Sequence, residues 1–138
     1  MSKKGKNVFI KVRGYHLDIY RHVNNARYLE FLEEARWEVF DNTFRDGFLE
    51  ESNLAFTVIN INISYRSAAV VHDTLRIETS LKAITSRSVT VLQEVWNKEE
   101  NRLVATADVV FVLVSIEKQK AIQLRPEFIA KLEKCFSL

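Results

Sequence analysis

A chain of 138 residues with 20 lysines and arginines against 18 aspartates and glutamates carries a formal charge of +2, too little to argue for a nucleic-acid partner. Its 47% hydrophobic and 28% charged residues describe a folded domain, one in number at this length, and exclude a disordered or membrane chain. No apolar run reaches the ~20 residues of a membrane span, and the first residues lack the apolar stretch of a secretion signal, so a cytoplasmic protein without stable membrane association is expected.

Residues 1–6 hold Lys3, Lys4 and Lys6 and read as a flexible basic tail, leaving 7–138 as the single domain. Val8, Phe9, Ile10 and Val12 form a short first strand that ends at Gly14. From Asn25 to about Asp46 the spacing of Ala26, Leu29, Leu32, Ala35 and Val39 predicts a helix, stopped at Asp46-Gly47. Tyr28, Phe31, Trp37, Phe40 and Phe44 widen its apolar surface, so other elements must wrap it.

Strict alternation over 56–66 predicts a strand with Ile59, Ile61, Ile63 and Tyr65 on one face. Strands follow over 75–82 and 89–95, separated by the turn Thr85-Ser86-Arg87. The strand 103–116 is apolar on both faces from Val109 to Val114, which predicts a partner copy over its outer half. Pro126 suits the first turn of a closing helix bearing Ile129, Leu132 and Phe136. Cys135 falls on that helix's apolar face and reads as a structural thiol. One strand, a long helix, then four strands with short turns is an α+β pattern: an antiparallel sheet curled around a helix.

The chemistry concentrates in residues 14–22, between the first strand and the helix. Asn24 or Asn25 is a favourable N-cap, so backbone N–H groups near Val23 to Asn25 face that loop, with the positive end of the helix dipole behind them. Such donors hold an oxyanion. Asp18 lies seven residues before Asn25 and can share the cavity. A thioester suits this sparse machinery, because a thiol of pKa about 8.5 departs without a strong general acid. His22 can add a hydrogen bond.

Plainer readings stand beside these. Asp18 can be a turn residue, His22 a packing group, and Asn24 and Asn25 caps only. Glu30, Glu33 and Glu34 read as a solvated helix face, with Arg36 the ion partner of Glu33, and Asp108 as a hydrogen-bonded structural group. His16, Asp18 and His22 do not follow a zinc spacing, and no metal is expected. Phosphate-binding glycine loops and a nucleophile elbow are absent from the sequence.

The run Val12-Arg13-Gly14-Tyr15-His16-Leu17-Asp18, followed by the unbroken run from His22-Val23-Asn24-Asn25-Ala26-Arg27-Tyr28 through Glu33-Glu34-Ala35-Arg36-Trp37, resembles the signature of hotdog-fold thioesterases of the 4-hydroxybenzoyl-CoA thioesterase family. Within that family it is most similar to the bacterial long-chain acyl-CoA enzymes. The resemblance implies a five-stranded sheet around the helix, a homodimer or homotetramer with sites at the subunit interface, and hydrolysis of medium- to long-chain acyl-CoA. It implies no cofactor beyond the CoA of the substrate.

It also implies Asp18 as the catalytic aspartate, acting as nucleophile or general base, Asn25 as the carbonyl-polarising amide and His22 in support. Tyr15, Asn24 and Tyr28 become candidate substrate-binding residues, and Arg66, Arg87 and Ser88 candidates for the CoA phosphates. Ser67-Ala68-Ala69 departs from the pattern, where relatives often carry a basic residue and a proline. A hotdog enoyl-CoA hydratase and a non-catalytic acyl-CoA-binding protein are the alternative functions.

Overall fold

Residues 3–136 are described by the computed structural model of the chain. The alternating segments form seven antiparallel strands: β1 (Lys3–Lys4), β2 (Val8–Lys11), β3 (Leu54–Tyr65), β4 (Thr74–Ile84), β5 (Ser88–Asn97), β6 (Arg102–Ser115) and β7 (Lys120–Ile122). They occupy five lanes. β1 and β2 both pair with β4, and β7 continues the lane of β5 along β6, past the point where Ser88 meets Val112. Across the sheet the order runs β1/β2, β4, β5/β7, β6, β3. These lanes correspond to the five strands expected from the sequence.

The helix α1 (Asn25–Phe44) lies against the concave face, followed by the short α2 (Phe48–Glu51), while α3 (Pro126–Lys134) closes the far end. Its buried face is Tyr28, Phe31, Leu32, Ala35, Arg36 and Val39, a three-four spacing that corrects the expected stripe. Ala26 and Leu29 are exposed instead. The bulky rings decide the phase, since burying one Phe contributes about 1.5–3 kcal/mol and an alanine far less. Beyond Val39, the rings of Phe40, Phe44, Phe56, Phe111, Phe128 and Phe136 interlock, with Phe56 stacked on Phe111 at 4.2 Å.

Arg36 is a second correction. It does not pair with Glu33 at the surface; only 7% of it is exposed, and its Nη1 donates to Gln93 Oε1 at 3.1 Å. Gln93 is held in turn, its Nε2 donating to Leu32 O and to Thr79 Oγ1, both at 3.1 Å. Burial lowers the Arg36 pKa, partly opposed by the charge of Glu33.

The expected flexible tail is also shortened. Lys3–Lys4 pair with Leu81 and Ser80, and Gly5 donates its N–H to Thr79 O at 2.7 Å. A Cβ on Gly5 would stand 3.1 Å from both Val39 methyls, so this residue lets the lane lie close on α1. Met1 and Ser2 lie outside the described residues. Asp108 bonds Lys82 at 2.8 Å across the outer face. On that same face Val112 is only 8% exposed within one chain while Val110 and Val114 are half-buried, so the apolar patch that the sequence suggested is closed at its centre and partly open on either side.

Replacing Gln93 by leucine removes the partner of the Arg36 guanidinium and of the Thr79 hydroxyl, while the Leu32 carbonyl keeps its intrahelical bond. With roughly 1–3 kcal/mol for each buried group left unpaired, Gln93→Leu is expected to lower the unfolding free energy by about 2 kcal/mol or more in urea titration.

Candidate active site at the start of the long helix

Between β2 and α1 the chain makes a 3-10 turn over Gly14–His16 and then a narrow hairpin. Leu17 bridges Val23, Asp18 N–H donates to His22 O at 2.9 Å, and Asn24 N–H to His16 O at 2.9 Å. Arg21 turns the tip with φ +64°. The hairpin folds Asp18 back against His22, three residues before α1 begins at Asn25.

The Asp18 carboxylate is half-buried and asymmetric in its contacts. Oδ1 accepts from Tyr20 N–H at 2.8 Å and His22 N–H at 3.3 Å, while Oδ2 has no partner among the described residues. One oxygen therefore fixes the group, and the other stays available. His22 supplies that backbone N–H, and its exposed imidazole has no partner among the described residues.

Asn24 is the N-cap, its Oδ1 accepting from Ala26 N–H at 2.9 Å. Val23 N–H goes to Ala69 O at 2.9 Å. Of the donors from Val23 to Ala26, the N–H of Asn25 alone lacks an acceptor among the described residues, which narrows the donor set expected from the sequence to one group. It stands at the positive end of a 20-residue helix.

Tyr15 is exposed beside this hairpin, with the Arg27 guanidinium 5.8 Å from its ring centre and Arg27 Nη2 donating to its carbonyl at 3.1 Å. Tyr28 is buried, its ring 5.5 Å from that of Tyr65, and burial pushes its phenol up to about 12. Tyr65 Oη donates to Asn25 O at 3.2 Å, which brings Arg66, the next residue, to the same end of α1.

Arg87 and Ser88 lie elsewhere. The hairpin follows Lys11, which pairs with Thr74 at the start of β4; Arg87 and Ser88 follow Ile84 at its end, about 33 Å along the strand. One chain does not bring them to Asp18. Nor do His16, Asp18 and His22 converge as ligands: His16 turns inward against Phe31, and His22 faces out.

One feature escaped sequence reasoning. Along the second half of α1 lies a cavity of about 460 Å³, floored by Phe40, Phe44, Phe56, Val58 and Phe111, with Arg36 at its wall. The signal for it was the surplus of rings on the helix, which exceeds what one packed face requires.

A sequence model of the thioesterase-like superfamily matches residues 12–132. The chain belongs to that superfamily. This thioesterase-like chain is 48% identical over 124 residues to the long-chain acyl-CoA thioesterase FadM of Escherichia coli (strain K12), covering 90% of this chain and 94% of that one. It is 33% identical over 107 residues to the acyl-CoA thioesterase YbgC of Haemophilus influenzae, covering 76% and 77%. Among solved structures, YbaW, a probable thioesterase from Escherichia coli, superposes with a TM-score of 0.88 at 45% identity over 95% of this chain and 98% of that one.

Proposed function

We propose that this thioesterase hydrolyses medium- to long-chain fatty acyl-CoA to the free acid and CoA, with Asp18 and the Asn25 N–H as its reacting groups. The observation that carries the proposal is the pairing of an Asp18 oxygen held by two N–H groups, and another left open, with an unspent N–H at the same helix start. Asp18 Oδ2 attacks the thioester carbonyl or takes a proton from the attacking water. Negative charge gathers on the carbonyl oxygen, where the Asn25 N–H and helix dipole stabilise it. The C–S bond then breaks and CoA leaves as the thiolate, which takes up a proton; where water attacked, the free acid is formed directly, and where Asp18 attacked, a water then cleaves the acyl–Asp18 anhydride to release the acid and restore the carboxylate.

The likeness to an enzyme named for long-chain acyl-CoA supports the substrate class, and so does the aromatic cavity. It begins near Glu33, eight residues or about 12 Å along α1 from Asn25, so an extended acyl chain following the helix reaches it. Each methylene buried there contributes about 0.8 kcal/mol, which favours longer chains.

A second copy completes this reading. β3 is a sheet edge of 12 residues, and Ile59 at its bulge is 59% exposed. Antiparallel pairing of two such edges about a two-fold axis turns the Arg87 and Ser88 end of one copy toward the Asp18 end of the other, where the CoA phosphates need cations.

Asp18→Asn is expected to stay folded and to lose thioester turnover by orders of magnitude, because an amide neither attacks the carbonyl nor accepts a proton from water. His22→Ala is expected to lose less, up to roughly 10²–10³-fold. Thiol release across an acyl-CoA panel measures both, and an Asp18→Asn enzyme within a few-fold of the parent would defeat the assignment. On the same panel, Phe56→Trp is expected to cut turnover of the longest chains and spare short ones; a uniform change would remove the cavity from the reading. Ile59→Lys is expected to yield an inactive monomer in sedimentation, and a parent that sediments as a fully active monomer would rule out the shared site.

A further inference from the structure

We propose that His16 is a positioning residue of the Asp18 hairpin and that it works only as the neutral imidazole with its proton on Nε2; this rests on the assignment of Asp18 above. The residue is 7% exposed. Its Nδ1 accepts from Arg13 N–H at 2.9 Å, and an atom that accepts a hydrogen bond from an amide cannot itself carry a proton. The ring meets Phe31 edge-on, with centroids 4.9 Å apart.

Both hydrogen-bonded ends of the hairpin converge on this residue. Its carbonyl takes the N–H of Asn24, the helix cap, and its own N–H goes back to Arg13 O at 3.0 Å. The next residue, Leu17, bridges Val23, and Asp18 follows. His16 thus ties the end of β2, the Asp18 hairpin and the first turns of α1 into one unit. A protonated ring would turn an N–H toward the Arg13 N–H. One donor would lose its acceptor, and the hairpin would have to shift.

The charges facing the ring come from two elements. Arg13 lies on its own segment, as does the titratable Tyr15, whose ring centroid is 4.2 Å from that of His16, and Arg27 and Glu30 lie on α1. Burial, with the positive charges of Arg27 and Arg13, lowers the imidazole pKa from its ordinary 6.5, and Glu30 opposes them. For a histidine lowered in the folded state, the stability contribution is complete above 6.5 and is lost as pH falls through the folded value. The hairpin therefore loosens on the acid side.

Two variants separate positioning from mere packing. Asparagine puts its side-chain oxygen near the place of Nδ1, accepts from Arg13 N–H and does not titrate; leucine fills space without accepting. His16→Asn is expected to keep parent-like kcat at neutral pH while the parent's fall in kcat below pH 6.5 is reduced or absent. His16→Leu is expected to lose about 10- to 100-fold in kcat with little change in KM, the scale of a small misplacement of a reacting group.

A His16→Asn profile with the same acid-side fall as the parent would overturn the inference, as would parent-like kcat in folded His16→Leu. Should His16→Leu fail to fold, the His16→Asn profile decides. Asp18→Asn in parallel separates the two readings: retained activity there defeats the Asp18 assignment, whereas its loss beside unaltered His16 variants defeats this inference alone.

Discussion

The fixed point of the molecule is the entry into α1, where backbone amides must find acceptors before the helix has any to offer. Val23 finds Ala69 O, Asn24 finds His16 O and Ala26 finds the Asn24 side chain. Each bond draws in a different part of the chain: the loop after β3, the 3-10 turn after β2, and the cap itself. The one amide passed over, that of Asn25, is left at the most positive point of the helix. From Val23 to Ala26 the accounting closes, among the described residues, at every donor but that one.

Downstream of that entry, α1 serves as a spine with two different halves. The first half packs by ordinary burial, with Phe31, Leu32 and Ala35 closed against the sheet. Arg36 then interrupts the apolar face, and past it Phe40 meets Phe56 and Phe111 edge to face while Phe56 stacks on Phe111, with space left beside the rings. The Arg36–Gln93–Thr79 network marks the boundary and fixes α1 against β4 and β5 with directional bonds where the apolar packing gives way.

Much of this was legible in the residues. The alternation from Phe56 onward and the turn at Thr85-Ser86-Arg87 determine strands and reversals locally, so the five lanes follow from period and punctuation. Asp18 and the asparagine cap were visible for the same reason: a hairpin joined directly to a helix start is a short-range object. What stayed hidden depends on distant partners. Arg36 looks like a surface charge until Gln93, 57 residues later, supplies its acceptor. The phase of α1 depends on which rings the curled sheet receives, and Arg87 and Ser88 look close to the site only while the direction of β4 is unknown. Lys3 and Lys4 have tail-like composition, and their pairing appears only when β4 extends past β2 to meet them.

The two margins of the sheet are unequal. One is the broken lane of β1 and β2, two residues and four residues long, and the other is the continuous 12-residue β3. A short, interrupted margin is a poor template for another strand, whereas a long one recruits. A molecule with a single recruiting margin can join one copy of itself edge to edge, and the joined sheet then presents only broken lanes at both ends. Association along the hydrogen-bonding direction is thereby self-limiting. Among the described residues, a sheet rich in valine and isoleucine thus has one long margin and no second along which to grow.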